Sequence, residues 1–549
     1  MRILISFVLL FLSQTSWALV DMRNANFAET WSDITVPGAG YDLKVQRTYN
    51  SRTLFSGMFG AGWCSDFETN IAFTPEGTIN LTECGAGSQI TYAPANFDFK
   101  AEVATVQEIM KIIRAKNSQY PEESLRALEE RLRNDTNFRI ESARNLRIAR
   151  GTNAKQQTYF ANGRQWENIR FDGNEYIRTL SDGSFQKFDK QGRLIAMHDK
   201  NRNFLNLKYD NKSLTEISDN QGRRLNFTYQ NDRVKQIRGP GDLTASYSYA
   251  QEDLVKVVTA TKQTYIYEVD DLHNLVKIIY PDKTTKEITY DAQRDRVIQF
   301  KDQRNCVEKY DYVVSKDAPK DHFWSTVVKT CGKDVVNRSR YEFWYKRRND
   351  GAHYLHRTVT QNNSDRTDVT YHEIFGKPIR IVRNELVSEF KYNNLGQVIA
   401  KNVGRQSFQY AYDPKLNKVN QVVTTFPPAK KGDKATKVTT SFTYDKAGNV
   451  VYAKNSQGQY VQLSYDANGR IIKVVDQAKK VVTIKYDNRF NKPSSISREG
   501  LGAITIKYHP NGEIDKVDSD KGPRVAVQVA STFNNLLEII GPATNELTL

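Results

Sequence analysis

The side chains best able to do chemistry in this 549-residue chain are seven histidines, four cysteines and carboxylates spread along its whole length. One histidine pair stands close together, His353 and His356, and that spacing puts the two on opposite faces of a strand. A shared metal is not expected there. Asp518-Ser-Asp520-Lys-Gly522 begins like a calcium loop but lacks the third carboxylate and the distal glutamate, so a plain turn is expected. Asp413-Pro414 likewise reads as the start of a turn. The nucleophile elbow G-x-S-x-G, the zinc motif H-E-x-x-H and the phosphate loop G-x-x-x-x-G-K-[ST] are all missing. Carboxylates recur so evenly that no acid–base pair can be nominated without geometry. The sequence therefore nominates no catalytic, cofactor-binding or metal-binding residue, and a non-enzymatic protein without a cofactor is expected.

Cys64, Cys84, Cys306 and Cys331 lack the C-x-x-C spacing of a zinc site and fit an oxidising compartment. Pairing Cys64 with Cys84 and Cys306 with Cys331 is the economical choice among three connectivities. Each bridge would contribute on the order of 3 kcal/mol by closing a loop. Four buried thiols are the alternative. The first eighteen residues agree with export: Arg2 is followed by an apolar stretch over 3–12 and by the small-x-small site Ser16-Trp17-Ala18. The mature chain is expected to begin at Leu19, in the periplasm, at the outer surface or in the medium. No later apolar run reaches the about 20 residues a spanning helix needs. The net charge of +16 favours acidic partners such as envelope lipids, anionic glycans or nucleic acid. Lysine and arginine are spread without a dense basic run, so a specific nucleic-acid patch is not expected; a solvated face of many strands is the alternative.

The elements that would position any site are repetitive. Tyr465-Asp-Ala-Asn-Gly-Arg-Ile-Ile recurs as Tyr444-Asp-Lys-Ala-Gly-Asn-Val-Val, Tyr392-Asn-Asn-Leu-Gly-Gln-Val-Ile, Phe188-Asp-Lys-Gln-Gly-Arg-Leu-Ile and Tyr508-His-Pro-Asn-Gly-Glu-Ile. Degraded copies begin at Tyr209, Tyr229, Tyr249, Tyr267, Tyr290, Tyr371, Tyr412 and Tyr486. A near-constant period of this kind marks a repeat architecture. Before each anchor the residues alternate, as in Val461-Gln-Leu463-Ser-Tyr465, which is the pattern of a half-buried strand. Asp466 then suits the first position of a type I turn and Gly469 the left-handed position of a bulged hairpin. Each unit is one hairpin, and consecutive hairpins form an antiparallel meander. Because an isolated hairpin is marginal in water, the anchors Phe188, Tyr209, Tyr229, Tyr392, Tyr444, Tyr465, Tyr486 and Tyr508 are expected to be structural core residues rather than site residues. The repeat breaks near 306–350, where the aromatic run "YEFWYKRRNDG" predicts longer hairpins clamped by a Cys306–Cys331 bridge. It breaks again at "FPPAKKGDKATK", which reads as an exposed basic loop.

Residues 97–147 differ in kind. Val103, Val106, Ile109, Met110 and Ile113 have helical spacing, as do Leu125, Leu128 and Leu132 behind Pro121. A helical hairpin is predicted, covering an open sheet edge or serving as a docking arm. The domain organisation is thus a signal peptide over 1–18, a β domain over 19–96, the helical insert over 97–147 and the repeat sheet over 148–549.

Arg47-Thr-Tyr-Asn-Ser-Arg52 followed by Gly57-Met-Phe-Gly60-Ala-Gly62-Trp63 resembles the N-terminal domain that precedes the repeats in RHS proteins. The Tyr-Asp units resemble the YD repeats of RHS proteins, teneurins and insecticidal-toxin shells. Together these resemblances cover most of residues 19–520. They imply an all-β fold in which a spiralling hairpin sheet curls into a shell. They also imply either enclosure of a toxin or an envelope- or surface-associated role in contact with glycans. No toxin-sized segment follows the last repeat and the family's C-terminal core motif has no match, so a curled, partly open sheet is expected. The expected function is an exported, non-enzymatic scaffold for a glycan or envelope-protein partner. A toxin shell or chaperone for a separately encoded effector is the alternative, and a carbohydrate-active enzyme a third.

Overall fold

The computed structural model describes residues 19–541 apart from 54, 84–87, 96, 99, 117–119, 135, 149–156, 162, 292, 294–295, 349–352, 429, 431 and 510–511. The segment read as a signal peptide lies outside the described residues. Strands dominate, arranged as a long antiparallel meander, and the chain divides into two compact units.

The smaller unit comprises residues 65–197. Its strands Asn70–Phe73, Ile79–Glu83, Ser88–Pro94, Thr158–Ala161, Arg164–Phe171, Tyr176–Thr179 and Phe185–Phe188 pair in succession. The helical insert leaves from the hairpin formed by Ser88–Pro94 and Thr158–Ala161. It contains three helices, α1 (Lys100–Lys116), α2 (Glu122–Asn134) and α3 (Thr136–Asn145), where two are predicted. The third was hidden because 136–145 offers few apolar residues; Ile140 and Ala143 are buried by packing. Val106, Ile109, Met110, Leu125, Leu132 and Ala143 form the insert's own core. Arg139, buried, pairs with Glu76 in the 74–78 turn and donates to the Leu132 carbonyl at 2.9 Å.

The larger unit joins residues up to 64 with those from 198 onward. Its N-terminal part is a small sheet of Leu19–Val20, Phe27–Val36, Leu43–Asn50 and Trp63–Cys64. The rest is the repeat meander, from Phe204–Asp210 to Ile514–Ser519, in which each strand pairs antiparallel with the next. The chain then ends its described part in helix α4 (Pro523–Glu538). Its Val529 is fully buried, and Val525, Phe533 and Leu536 pack with Ile504 and Ile506 of the last hairpin.

One repeat unit shows why the period holds. Asp466 Oδ1 accepts the amides of Asn468 (3.0 Å) and Arg470 (2.9 Å), and Gly469 takes φ of 76°. That turn sets a register shift between Ser464 and Tyr465, so one extra residue sits on the return strand. The shift recurs at Tyr209, Tyr229, Tyr249, Tyr290, Tyr371, Tyr392, Tyr412, Tyr444, Tyr486 and Tyr508. The residue opposite each shifted tyrosine turns its carbonyl toward the following hairpin, and the next anchor hydroxyl donates to it. Tyr465 Oη reaches the Val450 carbonyl at 2.7 Å, Tyr486 reaches Ile471 at 2.9 Å, and Tyr508 reaches Pro493 at 2.7 Å. Tyr229, Tyr249, Tyr290, Tyr312 and Tyr412 do the same to Leu214, Val234, Leu275, Val297 and Val398. These anchors are therefore half-buried hydrogen-bond donors that staple each hairpin to its predecessor, whereas Phe188, with no hydroxyl, is fully buried.

The larger unit also curls until distant turns meet. Asn449 Nδ2 donates to Asn201 Oδ1 at 3.0 Å and Lys200 Nζ to the Gly448 carbonyl at 3.2 Å. Together with Tyr465 and Asp466 they border a cavity of about 540 Å3.

Burial pushes the hydroxyls of Tyr465 and Tyr508 up to about 12, the carboxylates of Asp445 and Asp487 adding to it. A raised folded-state value favours the protonated phenol in the native protein. Stability from the staple is therefore complete below pH 10, the unfolded value, and is lost as pH rises toward 12. An alkaline titration followed by tyrosinate absorbance is expected to show unfolding and ionisation together in that window. Tyr465→Phe, which removes one donor, is expected to cost about 1 kcal/mol in urea denaturation.

Candidate binding surface

The N-terminal sheet lies against the face of the meander that carries the tyrosine anchors. It engages the same shifted residues whose carbonyls accept the staples. The Val234 amide donates to the Met58 carbonyl (2.9 Å), the Leu275 amide to Tyr49 Oη (2.9 Å), and the Val297 amide to the Ala25 carbonyl (3.3 Å). The repeat thus offers a periodic amide, and the N-terminal sheet reads three of them. Gly60, at φ of 96°, passes so close that a Cβ would stand 2.4 Å from the Glu252 carbonyl oxygen, which explains the glycine-rich run over 57–62.

Behind this contact sits an ion pair with no exposure on either side chain. Arg47 Nε and one terminal nitrogen donate to the two Asp33 oxygens at 2.5 and 3.0 Å. The same terminal nitrogen reaches Tyr267 Oη at 3.1 Å, and Tyr247 Oη donates to Asp33 Oδ2 at 2.9 Å. The guanidinium lies 4.6 Å from the Trp63 ring centre, and Trp63 packs on Trp31 at 5.1 Å. Burial opposes the charge on Arg47, but the Asp33 carboxylate outweighs it and the guanidinium holds its proton more tightly than usual. Burial, with Asp33 beside it, also pushes the Tyr247 hydroxyl well up. Nearby, Glu29 Oε1 accepts from Lys286 Nζ at 2.8 Å and from Tyr280 Oη at 2.7 Å. These charges are closed to solvent and to any substrate, so the chemistry they can do is fastening.

Among the cysteines, Cys306 and Cys331 are bonded, Cα to Cα 4.3 Å, at the base of the first long hairpin. Cys64 is buried on the strand Trp63–Cys64, and Cys84 lies outside the described residues. His353 Nε2 meets Asp321 Oδ1 at 2.5 Å, and the ring of His356 stands against Tyr354. Asp520 Oδ1 accepts the Ala503 amide at 2.8 Å, Asp518 pairs with Lys516 at 3.0 Å, and Asp413 Oδ1 accepts the amides of Lys415 and Leu416. Among the described residues no three His, Cys, Asp or Glu side chains gather as a metal set would require.

The long hairpins differ from the repeats in what they expose. Their strands are Val307–Val314, His322–Cys331, Asp334–Arg347, His353–Asn362 and Asp365–Tyr371. On the anchor face Ser325 stands beside Tyr312 and donates to the Met22 carbonyl at 2.5 Å, and Phe323 stacks on Phe343 at 5.1 Å. The opposite face carries His322, Trp324 and Trp344. Register aligns His322, Trp344, Arg357, Thr370 and Arg380 across five strands, with Trp324, Glu342, Val359 and Asp368 in the adjacent row. The alternation in "HFWSTV" and "YEFWYKR" holds the signal for this face, because Trp324 and Trp344 fall out of step with the anchor-face residues Phe323, Ser325 and Phe343. Arg357 and Arg380 join the row only through register, which sequence alone does not show.

A family model described as a domain of unknown function (DUF6531) matches residues 19–92. No curated protein matches the chain. Among solved structures, a TcdB2–TccC3–TEV structure is similar at 12% identity and a TM-score of 0.41, over 96% of this chain and 29% of that one. The Tc holotoxin pore of Photorhabdus luminescens is similar at 11% identity and a TM-score of 0.30, over 90% of this chain and 30% of that one. This chain spans less than a third of the length of either.

Arg47→Met is expected to lower stability by about 3–5 kcal/mol, because it leaves the Asp33 carboxylate buried without its cation. The urea midpoint measures it. Gly222→Ala, at a similar positive φ but with open space around it, is expected to cost only about 1 kcal/mol.

Proposed function

We propose that the protein is an exported, non-enzymatic scaffold of the RHS/YD-repeat type in a bacterial envelope, and that it presents a rigid sheet surface to a glycan or protein partner. The observation that carries this reading is the division of labour between the two faces of the meander. The strongest buried chemistry, Arg47 with Asp33, Tyr247 and Tyr267, is spent on fastening the N-terminal sheet to the anchor face. Exposed polar groups are distributed along a periodic opposite face, and proteins built from repeats commonly act through such extended surfaces. The Arg47-to-Arg52 and Gly57-to-Trp63 segments, which carry the RHS resemblance, supply two of the three groups that read repeat amides, Tyr49 and Met58, so the resemblance and the architecture share residues. The Cys306–Cys331 bond suits an oxidising compartment, which supports export.

Fractionation of the native host tests the reading. A mature form beginning at Leu19, found outside the cytoplasm and co-purifying with an envelope glycan or protein, is the expected outcome. A full-length cytoplasmic protein with Met1 retained would remove the proposal.

A further inference from the structure

The opposite face of the long hairpins is unlike the rest of that face. In the repeats it mostly carries short or charged side chains such as Ser246, Ser248, Lys473 and Thr483, with Ile266 and the Tyr452–Tyr460 pair as larger ones. On the long hairpins two tryptophans and a histidine stand there although no core requires them. Their rings lie against one another and against guanidinium groups. His322 stacks on Trp344 at 4.9 Å and 9°, Arg357 lies 5.0 Å from the Trp344 ring centre, and Arg340 lies 4.5 Å from that of Trp324. Stacking on an indole restricts a long arginine side chain and fixes the orientation of its planar fork, which at Arg357 donates from Nε and one terminal nitrogen to the two Asp368 oxygens.

The charges on this strip are layered. Glu342 accepts from His322 Nε2 at 2.8 Å and Arg340 Nε at 3.4 Å; Asp368 accepts from Arg357 Nε at 2.8 Å and lies 3.5 Å from Arg366. Both carboxylates sit low, at 20% and 18% exposure, while Arg340, Arg357 and Arg366 reach out to 43%, 40% and 55%. Arg380 extends the aligned row at 51%, 3.9 Å from Glu389. Asp368 is shared between two arginines and Glu342 between Arg340 and His322, so Arg340, Arg357 and Arg366 outnumber the two carboxylates set among them. Desolvation would raise Glu342, yet the bonds from His322 and Arg340 prevail and keep it ionised, and the Arg357 bond does the same for Asp368. What the solvent meets is two rows of guanidinium groups, Arg357 with Arg380 and Arg340 with Arg366, on either side of the row that holds Glu342 and Asp368. That shape does not enclose a small molecule. It suits an extended chain with acidic groups along it and apolar sugar-ring faces between them.

We propose that this strip, built from Trp324, Trp344, Arg340, Arg357 and Arg366, is where the scaffold grips an acidic polysaccharide by its carboxylate or phosphate groups. The assignment rests on the scaffold reading above and gives its glycan partner a chemical class and an address.

Affinity electrophoresis of the mature chain through gels containing polygalacturonate, a phosphorylated mannan or neutral dextran tests it. Retardation by at least one acidic polymer and not by dextran is expected, and the more effective polymer identifies the acidic group. Arg340→Gln with Arg357→Gln is expected to weaken binding about tenfold or more, in keeping with the loss of charge-assisted hydrogen bonds. A control that removes two exposed cations elsewhere, Lys208→Gln with Arg224→Gln, is expected to bind like the parent. Trp344→Phe, which keeps a ring under Arg357, is expected to weaken binding less than the double arginine variant. Unchanged retardation of the double arginine variant overturns the strip while leaving a glycan-binding scaffold intact. Equal loss in the control shows a general charge effect and overturns the strip as well. Equal retardation by dextran overturns the acidic class, and no retardation in any gel removes the glycan partner from the scaffold reading itself.

Discussion

The hydrogen bond from most anchor tyrosines to the carbonyl of the residue behind the preceding turn holds the fold in step. A hairpin needs only its own turn to set its own register, and Asp466 with Gly469 does that locally. Nothing in one hairpin, however, fixes where the next one lies. The extra residue opposite Tyr465 turns a carbonyl out of the ladder, and the hydroxyl of Tyr486 takes it. One irregularity therefore supplies the acceptor for the next unit, whose own irregularity supplies the one after. Burial keeps those phenols protonated far above neutral pH, so the donor is never lost under ordinary conditions. Phenylalanine at every anchor would bury as much apolar surface and would leave the carbonyls without partners, which is why tyrosine recurs.

A chain of nearest-neighbour links is stable as a sum of small terms, and such arrays need something to start and terminate them. Two devices serve here. At the beginning the N-terminal sheet supplies a large aromatic cluster and a buried ion pair, and it caps amides at Val234, Leu275 and Val297 that have no place in the strand ladder. Desolvating Arg47 and Asp33 is expensive, and it is offset only when Tyr247 and Tyr267 arrive with the meander, the Trp63 ring of the N-terminal sheet lying beside the guanidinium. The pair is therefore engaged by Tyr247 and Tyr267 only when the N-terminal sheet and the repeats are docked together, which ties that docking to a fully buried charge pair. At the other end α4 buries Val529 against the last hairpins and covers apolar surface that a further repeat would otherwise cover.

How much of this was readable from the residues depends on the distance between partners. The turn chemistry of Asp466 and Gly469 is local, and the meander, its period and the break near 306–350 follow from it. The role of the tyrosines was only half visible. Their apolar rings and spacing mark a packed position, but the acceptor of the Tyr465 hydroxyl lies fifteen residues back, on a carbonyl that looks ordinary in the sequence. Asp33 and Tyr247 are further apart still, and no spacing rule connects them. Helix α4 is a different case: Val525, Val529, Phe533 and Leu536 have the spacing of an apolar helical face, so its signal was present in a region dominated by the strand period. The third helix of the insert carries little signal, since Thr136–Asn145 is polar and depends on burial of Ile140 and Ala143 by its neighbours.

The same reasoning separates the two tryptophan populations. Trp31 and Trp63 are on faces that must be closed for the N-terminal sheet to dock, and their burial is accounted for by the fold. Trp324 and Trp344 are on the face that the repeat leaves to solvent, where small and charged residues such as Ser246, Ser248 and Lys473 are common. Folding does gain something from them, because stacking across the long strands adds cross-strand contact where the short hairpin staples are absent. That gain would be met as well by β-branched residues. It does not account for carboxylates set low between two rows of arginines. That arrangement is more order than stability asks, and it is the opportunity for recognition that this strip offers.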